Sequence, residues 1–96
     1  MYASIWRFDG TPDELVRAYD AMIAEVPRES MRLHLCLETG DGIVVVDTCP
    51  TREDFDAFVD GPFPALRERH GLPAPASMDG FSVHAAFIDG VAPPLA

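Results

Sequence analysis

One order of secondary-structure elements occurs twice along the chain. Residues 2–38 contain an alternating apolar strand, a capped amphipathic helix and a second alternating strand, and residues 43–88 repeat that order. Right-handed crossovers make two such halves interlock into one antiparallel sheet, with strand order 4-1-3-2 and both helices on one face. The sequence therefore predicts a single α+β domain of βαββαβ topology over residues 1–96.

Turn and capping residues set the expected element boundaries of this ferredoxin-like fold. Thr11 and Thr51 each precede a helical pattern and read as N-caps. Gly61-Pro62 divides the second helix into two pieces. A loop over 72–80, long enough to act as a lid, leads to the last strand. The strands are predicted at 2–8, 31–38, 43–49 and 81–88.

The second strand alternates cleanly between apolar and polar side chains. Leu33, Leu35 and Leu37 share one face, which we expect to pack against the helices together with Val44 and Val46. The other face of the sheet would then carry several apolar side chains, which are Ile43, Val45, Ala86 and Ile88. Because an apolar face of that width is not left open to water, the sequence predicts a homodimer packed sheet to sheet.

The polar side chains of this second face are the candidate catalytic group. A hairpin turn centred on Gly40-Asp41 places His34 opposite Asp47, whereas a turn centred on Asp41-Gly42 places it opposite Cys49. A carboxylate bonded to one imidazole nitrogen fixes the tautomer and makes the other nitrogen a general base.

The same face is expected to hold further polar contacts. Arg7 is predicted beside Asp47, where it would pair with the carboxylate or hold an oxyanion. Other candidate ligand-binding residues are Arg32, Cys36, Cys49, Ser82 and His84. An alternative stays open, in which these side chains form a satisfied polar network buried at the dimer interface.

Composition excludes several classes of function. Seven basic residues stand against sixteen acidic ones, and a net charge of -9 disfavours nucleic acid and anionic membranes as partners. A neutral or cationic small molecule suits this charge. The chain shows no apolar run long enough to span a membrane and no export signal, so we expect a cytoplasmic protein with reduced cysteines. The His and Cys spacing matches no common metal site, and neither metal nor cofactor is expected.

The stretch 43–58, IVVVDTCPTREDFDAF, resembles the third strand and second helix of the antibiotic-biosynthesis-monooxygenase-like family of dimeric α/β barrels. The resemblance implies sheet-to-sheet dimers with ligands between sheet and helices or in the barrel interior. Members include cofactor-free oxygenases of aromatic polyketides, polyketide cyclases and haem-degrading enzymes. Cys49 stands where the family usually carries an aromatic residue that contacts haem in the haem-degrading members, which argues against haem.

Two functions follow from the resemblance and the polar face together. The first is a cofactor-independent enzyme of monooxygenase, cyclase or isomerase type, acting on a small aromatic or polyketide-like molecule in the barrel interior. The second is a non-catalytic small-molecule-binding module of the same fold, similar to the effector-binding domains of leucine-responsive-type regulators.

Overall fold

The computed structural model describes residues 1–95, and of Ser30 the backbone alone. In chain order the elements are β1 (Tyr2–Asp9), α1 (Pro12–Ile23), a 3-10 turn (Arg28–Ser30), β2 (His34–Glu38), β3 (Gly42–Cys49), α2 (Arg52–Asp60), α3 (Phe63–His70) and β4 (Ser77–Ser82). The strands form one open antiparallel sheet of order β2-β3-β1-β4, which confirms the predicted strand order. This α+β arrangement is compatible with a ferredoxin-like fold.

Two helix ends lie at predicted positions, and local interactions fix each of them. The Thr51 side chain accepts a hydrogen bond from the Asp54 backbone N–H at 3.1 Å and caps α2. Gly71 adopts φ 74° and ends α3 in the left-handed conformation that glycine tolerates best. At Thr11 the predicted side-chain cap does not form, and α1 begins with Pro12. The break at Gly61-Pro62 separates α2 from α3, as predicted.

The carboxylate of Glu25, two residues after the end of α1, connects this segment to α3. Arg69 Nη2 donates to Glu25 Oε1 at 2.7 Å, and the His70 ring bonds the other carboxylate oxygen. The hydrogen bonds from His70 and then Arg69 lower the pKa of Glu25. The two helices are thereby linked at their C-terminal ends.

On β2 and β3 the helices cover the opposite face from the one predicted. Trp6 pairs with Val45 and Phe8 pairs with Ile43, and all four side chains are buried under the helices. Leu35 and Leu37 lie on the open face, each 44% exposed. The physical reason is the position of the strands: β2 is at the sheet edge, while the large apolar residues of the central strands β1 and β3 decide which face is covered.

The fourth strand starts earlier than its pattern indicates. The prediction of a strand at 81–88 is wrong, because Ser77–Ser82 pairs with β1 in the register Arg7↔Ser77 to Tyr2↔Ser82. Residues 77–80 are therefore in the sheet, Leu72 is buried, and the predicted lid over 72–80 does not exist. The Tyr2 ring packs directly over Gly80. A side chain at position 80 would collide with that ring, so glycine fits there. Pairing with β1 thus overrides the turn preference of Asp79-Gly80.

The core is one cluster between the sheet and the helices. Its buried members are Trp6, Phe8, Leu15, Tyr19, Met22, Ile43, Val45, Phe63, Leu66 and Leu72. Within residues 1–95, the helices are all too short and too polar to cross a membrane.

Candidate functional site

A cavity of about 390 Å³ lies between the sheet and the helices. Its walls are apolar side chains from β1, from α1 and the segment that follows it, and from α2 and α3, and they are Trp6, Phe8, Tyr19, Met22, Ile23, Val26, Phe55, Phe58 and Phe63. Polar groups line one part of it, contributed by His34, Asp47, Thr48, Cys49 and Asp54. An apolar cavity of this size with a few convergent polar groups is typical of a small-molecule site.

The aromatic wall is built around Trp6. Its ring centroid lies 4.8 Å from Phe63, 5.8 Å from Phe55 and 6.4 Å from Phe58, each in an edge-on arrangement. These are favourable distances and angles for aromatic pairs. The Trp6 indole N–H donates to the buried Ser4 hydroxyl at 2.7 Å, which fixes the ring in its plane.

The polar end of the cavity holds a histidine–carboxylate pair. His34 on β2 lies directly opposite Asp47 on β3, and Nδ1 and Oδ1 are 2.7 Å apart. This register follows from the turn at Gly40-Asp41, where the Thr39 N–H donates to the Gly42 carbonyl at 3.0 Å. Of the two turn alternatives, the first is confirmed. Both side chains are mostly buried, with 18% of His34 and 26% of Asp47 exposed.

Tyr19 on α1 extends this pair to a chain of three groups. Its hydroxyl is 2.5 Å from His34 Nε2, and the two rings stack with centroids 5.9 Å apart. Because a carboxylate only accepts, His34 Nδ1 carries a hydrogen and donates to Asp47, and Nε2 of the neutral ring accepts from the tyrosine. Burial, and after it nearby negative charge, raises the pKa of Tyr19 to about 12. The phenol therefore keeps its proton at neutral pH.

The helical spacing of the sequence predicts Tyr19 only as a core residue of α1, and it gives no indication of this contact. Tyr19 lies on the buried stripe of α1 between Leu15 and Met22, and it is 8% exposed. A signal was present, because a buried tyrosine hydroxyl requires a hydrogen-bond partner. The partner could not be identified from helical spacing alone.

Arg7 is not part of the site. It pairs with Val44 on the open face of the sheet and is exposed, whereas His34 and Asp47 face the helices. The predicted grouping of Arg7 with Asp47 is therefore wrong. Arg7 lies on the face away from the helices, as expected, because its neighbour Trp6 is buried under them. The error is in β2 and β3, whose His34 and Asp47 side chains share the covered face with Trp6.

The remaining candidate residues fall into two groups. Cys36 and Cys49 are free, half-buried thiols on the covered face of the sheet, and Cys49 lines the cavity. Burial raises the pKa of both, so neither has the thiolate character of a reactive cysteine. The other three, Arg32, Ser82 and His84, are exposed and lie outside the cavity lining. Nowhere in residues 1–95 do histidine, cysteine and carboxylate side chains gather in a group of three or more that could hold a metal ion.

Comparison with known proteins adds no assignment to this geometry. A scan of the chain against protein families finds no match, and a search of curated proteins finds none either.

Proposed function

We propose that the protein is a cofactor-independent enzyme that binds a small, apolar, aromatic or polyketide-like molecule in the cavity between sheet and helices. Its reaction would be of monooxygenase, cyclase or isomerase type and would begin with proton transfer to His34. The observation that carries this proposal is the His34–Asp47 pair, hydrogen-bonded at 2.7 Å, at the polar end of an otherwise apolar cavity. An imidazole held in one tautomer by a carboxylate is an established form of general base.

Charge and shape support a neutral or cationic ligand. Asp47 and Asp54 line the cavity, and the whole chain carries a net charge of -9, so an anion would be repelled. The aromatic wall offers edges and faces to a planar ring. The cavity volume of about 390 Å³ suits a molecule of one to three rings.

We also propose that the chain is a small member of the dimeric α/β barrel superfamily and forms a homodimer. The strand order supports the first part, together with the 43–58 stretch. The open face supports the second, because exposed apolar side chains lie at both of its edges, Leu33, Leu35 and Leu37 at the β2 edge and Phe81 on β4. A second copy packed on this face would remove these side chains from water.

Light scattering should therefore give about twice the mass of one 10.5 kDa chain. Leu35→Asp places a charge among the exposed leucines of the open face, and we expect it to shift the protein to a monomer. Ala21→Asp introduces the same charge on the exposed side of α1 and should leave the dimer intact. A monomeric wild-type protein at micromolar concentration would contradict the proposal.

A binding module without catalysis is the second candidate. Both ring nitrogens of His34 have partners inside the chain, Asp47 and Tyr19, which is typical of a satisfied structural network. In this case the cavity holds an effector and the three polar groups only orient it.

Binding and turnover separate the two candidates. Trp6 is the sole tryptophan and lines the cavity, so quenching of its fluorescence reports ligands there. Aromatic and polyketide-like compounds that quench it would be incubated aerobically without added cofactor and analysed by mass spectrometry. For the enzyme we expect His34→Ala to bind such a compound and to lose its conversion, while Arg7→Ala behaves as wild type. Binding without conversion in the wild type would favour the module, and no binding would refute both.

A further inference from the structure

Tyr19 lines the cavity beside the histidine–carboxylate pair. Its hydroxyl proton is engaged with His34 Nε2, at an oxygen-to-nitrogen distance of 2.5 Å. A phenol oxygen can accept a further hydrogen bond through its lone pairs. In the described structure its sole hydrogen bond is the one to His34, so this acceptor capacity is available to a ligand. Both ring nitrogens of His34 already have partners, so a ligand proton reaches His34 through Tyr19 although His34 also lines the cavity.

We infer that Tyr19 is the group that receives the ligand's proton, and that the ligand is a neutral phenol or enol whose O–H donates to the Tyr19 oxygen. This inference rests on the proposed function of the cavity. A deprotonated phenol would carry a charge that Asp47 and Asp54 repel, so the molecule enters in its protonated form. An acidic O–H that enters an apolar cavity needs an acceptor there, because leaving it unpaired is costly.

The proton transfer is balanced along the chain of three groups. The ligand O–H bond breaks as a new O–H bond forms at Tyr19, and the original Tyr19 proton moves to His34 Nε2. The product is a ligand oxyanion and an imidazolium held by Asp47 at Nδ1. Tyr19 itself is a phenol before and after the step. No oxidant or reductant is required.

The high pKa of Tyr19 is consistent with this role. At about 12 it disfavours a free tyrosinate, so Tyr19 releases its proton only as it gains another. The proton therefore passes through Tyr19 and ends on His34. A ligand without a donor group, such as an ether of the same shape, gains nothing from the Tyr19 oxygen.

The test compares 4-tert-butylphenol with 4-tert-butylanisole, its methyl ether, using quenching of Trp6 fluorescence. We expect the wild type to bind the phenol about tenfold more tightly, the ratio for one net hydrogen bond of roughly 1.4 kcal/mol. Tyr19→Phe should remove this preference by weakening the phenol and leaving the ether unchanged. Tyr2→Phe, the matched change at the other tyrosine, should leave both affinities as in the wild type.

Each other result has a defined meaning. If His34→Phe, which leaves the Tyr19 oxygen in place, loses the preference for the phenol, the ligand donates to His34 directly, and the inference is overturned. If phenol and ether bind equally well to the wild type, the cavity remains a ligand site but its donor selectivity is refuted. If neither probe quenches Trp6, the proposed function of the cavity fails as well. Circular dichroism of Tyr19→Phe checks that the fold is kept, which we expect because the ring is retained.

Discussion

Replacement of Asp47 by asparagine should lower the turnover of a cavity-bound substrate by about 100-fold, the lower end of what a lost acid–base contribution costs. The variant keeps the shape of the side chain but removes the charge that holds a hydrogen on His34 Nδ1 and stabilises the imidazolium. Its amide N–H₂ can also donate to Nδ1, and this would move the ring hydrogen to Nε2 and reverse the bond to Tyr19. The measurement is the rate of conversion of a substrate found with the wild type.

A control for this variant is available in the same cavity. Asp54 also lines the cavity, but its carboxylate has no bond to His34 in the described structure. We expect Asp54→Asn to change the rate by less than about threefold. The ¹⁵N chemical shifts of the His34 ring give a readout that needs no substrate, because they report which nitrogen carries the hydrogen. Unchanged shifts in Asp47→Asn would show that Asp47 does not select the tautomer.

The largest loss of stability is expected for Trp6→Ala. The Trp6 side chain is 4% exposed and packs against Phe55, Phe58 and Phe63. Its removal leaves a void at the centre of the core and takes the hydrogen-bond partner from buried Ser4. Large-to-small aromatic substitutions in cores cost about 3–5 kcal/mol, which is a large part of the total stability of a chain this short.

Urea unfolding followed by circular dichroism measures this loss. Wild type and variants must be compared at one protein concentration, because a dimer gains stability with concentration. Phe87→Ala is the matched control: Phe87 is 72% exposed, and its removal should change the free energy of unfolding by less than about 0.5 kcal/mol. A loss below about 1 kcal/mol for Trp6→Ala would mean that the aromatic wall is not what holds the helices on the sheet.

The topology was predictable because its signals are local. Alternation of apolar residues, the caps and the Gly61-Pro62 break each depend on a few neighbouring residues, and the handedness of crossovers converts them into a strand order. Side chains alternate between the two faces along each strand. The prediction that the leucines of β2 share one face with Val44 and Val46 was therefore correct. Which of the two faces the helices cover is a different question. It depends on the summed burial of all strands, and the cleanest alternation occurs in the edge strand β2.

The site was predictable only in part for the same reason. His34 and Asp47 face each other across one hairpin, so their pairing required no more than the turn. Arg7 was predicted on the same face as His34 and Asp47, and that grouping failed because these two side chains lie on the covered face while Arg7 lies on the open one. Tyr19 reaches His34 from a helix on another layer, and this contact depends on how α1 is rotated and placed over the sheet. Sequence spacing contains no information on that placement.

A change in the turn between β2 and β3 would alter the chemistry of the cavity even if every residue that lines the cavity stayed the same. The turn at Gly40-Asp41 selects which side chains of the two strands are opposite each other. A turn centred one residue later, on Asp41-Gly42, would shift the register by two residues and move His34 from Asp47 to Cys49, and such an even shift keeps the same face toward the helices. Insertions and deletions at an exposed tip, where evolution tolerates them most readily, would then diversify reactivity several residues away. Relatives of this protein with turns of other lengths would be expected to differ in what they convert, even where their cavity residues are identical.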